Sequence, residues 1–530
     1  MSKSGSKLAF ALRPSIPALI VAVILATVSS VAALGALWCI VQLIATHNYS
    51  LLVAASLLWA ASALISGSAS WISHNAEAKF SGRLRRMIAN HFVRLPSSTL
   101  AKYKGEKLQQ LMVGDISSLH HMVAHLPSEL ATFILVPVIT IILLVSNADA
   151  MALLALIPGV VAALFYLLVI PRLAAKQGEA RVNVMGNIIA TVDDYSRGAA
   201  IFRIFTTQDG AMERYTKATQ DFMQEIVERV RKVSSSVALA TALLQAVSTF
   251  AIVYAIGYEW PTEKLAAALF FSLAIVTPAL KLGHGLDYVT AGRSAANRLN
   301  DFLGQTKLPT GTTQVNSISN ATLTLTNVIP SLSNTSRPKP INYKFQAGQV
   351  TAITGPSGIG KSTLLGLIAG NELLVSGAIF LGDVALNEMD EATRHKSIML
   401  NPQNVGILTA SIADNLALTA PNETDQSYKE ALSVAELDKP LNTIASNLSG
   451  GEIQRINLAR VFLSVAPVIL LDEPTSALDD TTALKIFDAL RHEAKVNHKT
   501  IIIVTHDLAL AELADQVLSL NTSHSEENKR

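Results

Sequence analysis

The sequence predicts a two-part chain: an all-α membrane domain of six transmembrane helices, followed by an α/β domain of the P-loop type. Three observations carry this. Half of the 530 residues are hydrophobic and only 15% are charged, too apolar for a water-soluble chain of this length. The long apolar runs all fall before residue 295. After them comes Gly355-Pro356-Ser357-Gly358-Ile359-Gly360-Lys361-Ser362, with Thr363 next, which fits the phosphate-binding pattern G-x-x-x-x-G-K-[ST].

The apolar runs cover residues 15–45, 51–72, 126–146, 150–170, 237–258 and 265–286. Each is near or above the roughly 20 residues that a helix needs to cross the hydrocarbon of a bilayer. The first follows Lys3, Lys7 and Arg13, as in a signal peptide. It is too long for that role and a second apolar run follows at once, so it reads as a retained span. Between the second and third runs lie Lys79, Arg83, Arg85, Arg86, Arg94, Lys102, Lys104 and Lys107. The loop between the fourth and fifth is equally basic, from Arg172 to Lys232. The short connections 46–50, 147–149 and 259–264 hold only Lys264. Both long loops, both termini and the second domain are therefore expected in the cytoplasm.

Residues 74–94 contain no proline, so the second span is expected to continue as a helix some 30 Å beyond the bilayer, at about 1.5 Å per residue. A formal net charge of +2 argues against a nucleic-acid partner. The single cysteine, Cys39, lies in an apolar run and excludes a disulfide framework. The membrane domain is expected over 1–303. A linker rich in Gly, Thr, Ser and Asn covers 304–319, and the second domain covers 320–525. Alternating Leu323 and Leu325, and the run Ile341-Asn342-Tyr343-Lys344-Phe345, read as edge strands.

The glycine-rich loop points backbone N–H groups at nucleotide phosphates, Lys361 reaches the terminal ones, and the Ser362 hydroxyl suits Mg²⁺. Val468-Ile469-Leu470-Leu471 reads as a buried strand that ends in Asp472-Glu473, where open α/β sheets place ligands. One carboxylate there can hold a metal through water, and the next can orient or deprotonate an attacking water. A second strand, Ile501-Ile502-Ile503-Val504, leads into Thr505-His506-Asp507.

With Leu448-Ser449-Gly450-Gly451-Glu452-Ile453-Gln454-Arg455 between these motifs, their order resembles the ATP-binding cassette (ABC) family. The resemblance implies ATP and Mg²⁺ as cofactors. It assigns the metal to Ser362, Gln403 and Asp472, catalysis to Glu473, and γ-phosphate sensing to His506. Ser476-Ala477-Leu478-Asp479 matches the family's D-loop. The membrane half resembles the exporter-type domain. There the segment from Leu95-Pro96 through Lys104-Gly105 to Gly114-Asp115-Ile116 looks like the first coupling segment, and Ile201-Phe202-Arg203-Ile204-Phe205 through Tyr215 like the second.

In this family the signature of one cassette closes over the phosphate loop of another. Ser449, Gly450, Gly451 and Glu452 would thus face ATP held by a second half-transporter chain, identical or related. Two departures stand out. No aromatic for adenine stacking occurs in Asn327-Val328-Ile329-Pro330-Ser331-Leu332, and the stretch from Gln403 to Leu448 is short. The implied function is an ATP-hydrolysing half-transporter in the bacterial inner (plasma) membrane. Its cargo would be a small molecule such as a siderophore, peptide or drug. The alternatives are a soluble ABC ATPase acting on DNA, which the spans oppose, and an ATP-gated channel or receptor subunit. Lys281, His284 and Asp287 could line a translocation path.

Overall fold

The computed structural model describes residues 5–103, 105–164, 188, 191–192, 208–243, 246–315, 321–330, 340–403 and 406–520. The chain divides into two compact units. The first is Met1–Ala89 with Glu106–Gly304, and the second is Asn90–Gly105 with Gln305–Arg530.

The first unit is helical. Helix α1 (Ile16–Thr46) begins with a proline in its first turn, where a missing N–H costs nothing. It ends at His47, whose left-handed φ of 54° turns the chain. Asn48 Oδ1 then accepts from the Ser50 N–H at 3.1 Å and starts α2 (Ser50–Phe92). As expected from its lack of proline, α2 runs unbroken for 43 residues. The two helices are joined by a reciprocal pair of bonds, Ser29 Oγ to Ser62 O and Ser62 Oγ to Ser29 O, each 2.9 Å. Small hydroxyl side chains let apolar helices approach and share such bonds.

A broken helical run with a π-helical turn at Gln110–Asp115 leads into α3 (Leu126–Asn147). Helices α4 (Ile157–Leu164), α5 (Gln208–Leu243), α6 (Ala246–Gly257) and α7 (Thr262–Gly304) follow. Alanines 148, 152, 155, 267 and 268 pack with Val41, Leu144, Val253 and Phe271 in a core of this unit. Asp115, 2% exposed, receives Arg298 Nη2 at 2.6 Å and Nε at 3.1 Å.

Among the described residues three helices are long and apolar enough to cross a membrane: Lys7–Thr46, Ser50–Phe92 and Lys107–Asn147. Shorter apolar helices occupy Ala150–Val161 and Val247–Gly257. Residues 165–170 of the fourth predicted run, and residues 201–207 of the second coupling segment, lie outside the described residues. So do the side chains of Lys281, His284 and Asp287.

The second unit contains two sheets. Strands β1 (Leu323–Val328), β2 (Ile341–Phe345), β4 (Ala378–Leu381) and β5 (Val384–Ala385) form an antiparallel sheet in the order β2-β1-β4-β5. The expectation that β1 is an edge strand is therefore corrected, because β4 pairs along its other side, from Leu323↔Leu381 to Thr326↔Ala378. Of the two strands read as edges, β2 alone lies at one. Strands β3 (Val350–Thr354), β6 (Ile398–Asn401), β7 (Val468–Asp472), β8 (Thr500–Val504) and β9 (Gln516–Ser519) form a parallel sheet in the order β6-β7-β8-β3-β9. Every residue of β3, β7 and β8 is buried. That explains their unbroken apolar character, since a parallel sheet is covered on both faces.

Residues 90–105 belong to this second unit by contact. The short helix Ser97–Leu100 presents its first turn to a carboxylate: Ser98 N and Oγ donate to the two oxygens of Glu372, each at 2.7 Å. Ser97 N donates to Asn371 O at 2.9 Å, and Arg94 pairs with Glu391 at 3.4 Å. The segment composed like a flexible linker is also pinned. Leu308 N bonds Arg94 O at 2.8 Å, and Thr313 N bonds Glu388 O at 2.9 Å. Gly311 lies so close to Glu388 that a Cβ would meet its backbone at 2.0 Å.

Candidate functional site

Strand β3 delivers the phosphate loop into helix α8 (Lys361–Ile368). The loop needs its glycines. Gly355, Gly358 and Gly360 hold φ of 145°, 79° and 104°, values that disfavour any side chain. At Gly355 a Cβ would also come within 2.6 Å of Leu520 O. Lys361 is buried and folds back over the loop, donating to Gly355 O at 2.8 Å and Pro356 O at 3.0 Å. The ammonium is thus satisfied by loop carbonyls, and phosphate oxygens would have to replace them.

Strand β7 ends on Asp472, as the sequence implies. Burial pushes this carboxyl above its usual range, the neighbouring Glu473 adds to that, and the Ser362 hydroxyl and nearby Lys361 and His506 pull it back. Glu473 follows with φ 49°, an uncommon conformation for a residue with a side chain. Its N–H is held by Val504 O at 3.0 Å. This turns the carboxylate out of the sheet, where it is gripped from both sides. Gln403 Nε2 donates to one oxygen at 2.6 Å, and His506 Nε2 lies 3.0 Å from the other. The fold therefore brings together Lys361, Ser362, Gln403, Asp472, Glu473 and His506 from four separate stretches of sequence.

Ser449 caps helix α9 (Gly450–Leu463) in a capping box. Glu452 N donates to Ser449 Oγ, and Glu452 Oε2 accepts from Ser449 N at 2.9 Å. The Ser449 N–H and Lys439 hold the Glu452 carboxyl down to about 2. Ser449 and Glu452 thus bond to each other, not to this chain's phosphate loop. The capped N-terminus of α9 leaves peptide N–H groups and a positive dipole end facing outward, an arrangement that attracts anions.

Gln454 was not assigned a role from sequence. Its Nε2 donates to Pro474 O at 2.7 Å and Glu473 O at 3.2 Å, and its Oε1 accepts from Ala477 N at 3.2 Å. It ties the signature helix to the end of β7 and the D-loop. Gly451 passes 3.4 Å from Ala477 O, measured from where a Cβ would sit. The signal was the glutamine inside the signature, five residues after its serine. A cavity of about 340 Å³ opens here, lined among others by Asn401, Gln403, Gly450, Gln454, Asp472 and Ser476.

The aromatic missing from 327–332 is not supplied by the described part of that stretch. Asn327 instead takes φ 51° and bonds through its side chain to Asn342 at 3.0 Å. Residues 331–339 lie outside the described residues. The short stretch before the signature is ordered by backbone bonds, Ile412 N to Thr443 O at 2.9 Å and Ala445 N to Ala410 O at 2.9 Å.

Comparison with known proteins bears on the family and the fold. Residues 14–260 match the model of the ABC transporter transmembrane region, and residues 338–476 match the ABC transporter model. The chain is 28% identical over 464 residues to the glutathione/L-cysteine transport system ATP-binding/permease protein CydC of Escherichia coli, covering 82% of this chain and 79% of that one. It is 26% identical over 502 residues to the mycobactin import ATP-binding/permease protein IrtA of Mycolicibacterium smegmatis, covering 88% of this chain and 56% of that one. A bacterial Atm1-family ABC exporter with ATP bound shares the fold, with a TM-score of 0.77 at 20% identity over 96% of this chain and 94% of that one. Fused ATP-binding and permease halves set aside the gated-channel alternative. The chain belongs to the ATP-binding cassette transporter family, as an ATP-driven, multi-pass subunit of the inner membrane with an exporter-type fold and a cytoplasmic ATPase domain.

Proposed function

We propose that this chain is a half-transporter that pairs with a second such chain, identical or related, and couples ATP hydrolysis to movement of a small organic molecule. The grip of Gln403 and His506 on the Glu473 carboxylate carries the reading. A carboxylate held by an amide and a histidine beside the phosphate loop supports a nucleotide-hydrolysing site. Glu473 is assigned as the base that orients and deprotonates the attacking water. His506 holds that carboxylate until a γ-phosphate competes for its ring. Lys361 leaves the loop carbonyls for the terminal phosphates, while the N–H groups of residues 357–363 cradle the chain of phosphates.

Mg²⁺ fits the oxygen donors here, and an under-compensated buried carboxylate at Asp472 is the kind of group a hard cation satisfies. Ser362, Gln403 and Asp472 would hold it, and it would neutralise charge on the phosphates. Ser449, Gly450, Gly451 and Glu452 are assigned to the ATP bound by the partner chain. On their own chain Ser449 and Glu452 are bonded to each other, with the N-terminus of α9 presented outward. We assign residues 1–303 to the membrane half, 304–319 to the connection and 320–525 to the ATPase. The named relatives handle glutathione, cysteine and mycobactin, so a thiol peptide or siderophore is the cargo class to test first, in either direction.

Reconstituted Glu473→Gln protein should bind ATP as the wild type does and turn it over about 10²–10⁴-fold more slowly. Turnover within tenfold of wild type would remove Glu473 from the chemistry.

A further inference from the structure

We propose that the membrane unit contains a site for a divalent transition-metal ion, built by His74, His120 and His125. Two stretches of chain, far apart in sequence, converge to make it. His74 lies on α2, His120 on the short helix His120–Ala124, and His125 immediately before α3. Each offers one ring nitrogen, and the three nitrogens lie within 4.8 Å of one another. The ring centroids are 5.0–5.3 Å apart. A tetrahedral zinc-class ion with bonds of about 2.0–2.1 Å would bring such nitrogens to roughly 3.4 Å. Small rotations of the rings close that gap.

The surroundings are those of a ligand set and not of a random polar patch. Imidazoles that bind metal pass their other nitrogen to a carboxylate or carbonyl, which fixes the tautomer. His120 Nδ1 lies 3.2 Å from Glu77 Oε2, and the other Glu77 oxygen is held by Ser81 Oγ at 2.6 Å. His74 Nδ1 lies 2.8 Å from Ser70 O. A carbonyl only accepts, so this nitrogen carries the proton and Nε2 keeps its lone pair. Beside His125, at a centroid distance of 5.3 Å, stands His121, whose Nε2 is 3.5 Å from Glu129. His121 Nδ1 and Glu129 Oε2 are buried with no hydrogen-bond partner, which leaves a further ligand or outer partner at hand. Helix α7 makes room with a glycine. A Cβ at Gly285 would come 2.8 Å from His121 and 3.0 Å from Glu129.

Neutral imidazoles favour the zinc, cobalt, nickel and copper class over magnesium or calcium. Such an ion would clip α2 to the run leading into α3, so loading would stabilise the unit by mass action. The test uses the full chain, purified in detergent without a polyhistidine tag and titrated with Co²⁺. The expected result is one Co²⁺ per chain, with the intense visible absorption of low-coordinate cobalt, displaced by Zn²⁺ and accompanied by a rise in Tm. The His120→Ala/His125→Ala double variant should lose this binding, and Glu77→Gln should weaken it about 10–100-fold. ATP binding measured on the same preparations reports folding. Should the double variant lose ATP binding, the single His74→Gln change, at an exposed position, gives the decision. Binding weaker than about 100 µM, near −5.5 kcal/mol, or cobalt spectra unchanged in the histidine variants, would overturn the site.

Discussion

Asp472→Asn should stabilise the nucleotide-free protein while disabling it. Asp472 is 7% exposed at the end of β7, and burial raises its carboxyl above the ordinary value of 3.8 despite the Ser362 hydroxyl, Lys361 and His506. The folded state therefore holds the proton better than the unfolded one. The stability this gives is complete below 3.8 and is lost as pH rises through the folded value. At neutral pH the site carries an under-compensated charge. An isosteric amide keeps an oxygen for Ser362 and removes that charge. Single stabilising changes of this kind contribute about 0.5–2 kcal/mol, and each kcal/mol moves Tm by about 2–4 °C for a domain of this size. The expected gain without nucleotide is thus about 1–8 °C at pH 7, shrinking as pH falls towards 4. With ATP and Mg²⁺ the order reverses. Saturation at a hundred times Kd adds about 2.7 kcal/mol to the wild type, and the variant should gain no more than it does from ATP in EDTA. Scanning calorimetry in both conditions, with an ATPase assay beside it, decides the matter. A variant less stable than wild type in EDTA at pH 7 would refute the charge argument. An equal Mg²⁺-dependent shift in both proteins would remove Asp472 from the metal site.

Two further outcomes follow from the packing. Ser98→Ala and Glu372→Ala should each destabilise the second unit, and a double-mutant cycle should return a coupling of about 0.5–1.5 kcal/mol, since both Glu372 oxygens serve Ser98; a cycle closing at zero would show that the contact contributes nothing. Arg298→Ala leaves the buried Asp115 carboxylate unpaired, and because the arginine head is 47% exposed the loss should be about 2–3 kcal/mol, below the 3–5 kcal/mol typical of fully buried pairs; the apparent Tm at fixed scan rate should drop and recover in part when Asp115→Asn is added.

The nucleotide site was legible because its parts are local. A phosphate loop is a glycine pattern with fixed φ requirements, and β7 and β8 are apolar runs bounded by prolines or turn residues. What was not legible depends on pairing. The alternation of Leu323 and Leu325 shows that one face of β1 is buried. It cannot show whether one or two strands flank it, since hydrogen bonds to β4 leave no mark on side-chain pattern. The segment 305–315 has linker composition, yet its backbone bonds Arg94 and Glu388. Polar residues that satisfy a backbone in place look the same as those that leave it free. The histidines of the membrane unit were missed for a related reason. His74 is separated in sequence from His120 and His125, and only the packing of α2 against the following run makes them neighbours.

Lys361, Glu473 and Ser449 of the ATP site are engaged before any nucleotide arrives. Lys361 bonds two loop carbonyls, Glu473 is held by Gln403 and His506, and Ser449 is held by Glu452. Lys361 meets neutral carbonyls here, whereas a phosphate would set its charge against an opposite one. Binding therefore exchanges partners and strands no buried donor, which keeps the empty site stable. The exchange is also incomplete on one chain. ATP on the phosphate loop can free Lys361 and His506, but on this chain Ser449 is bonded to Glu452 and not to that loop. On the proposed pairing, a second cassette presents its signature to that phosphate. On that proposal, turnover per chain should rise with protein concentration through the dimerisation range.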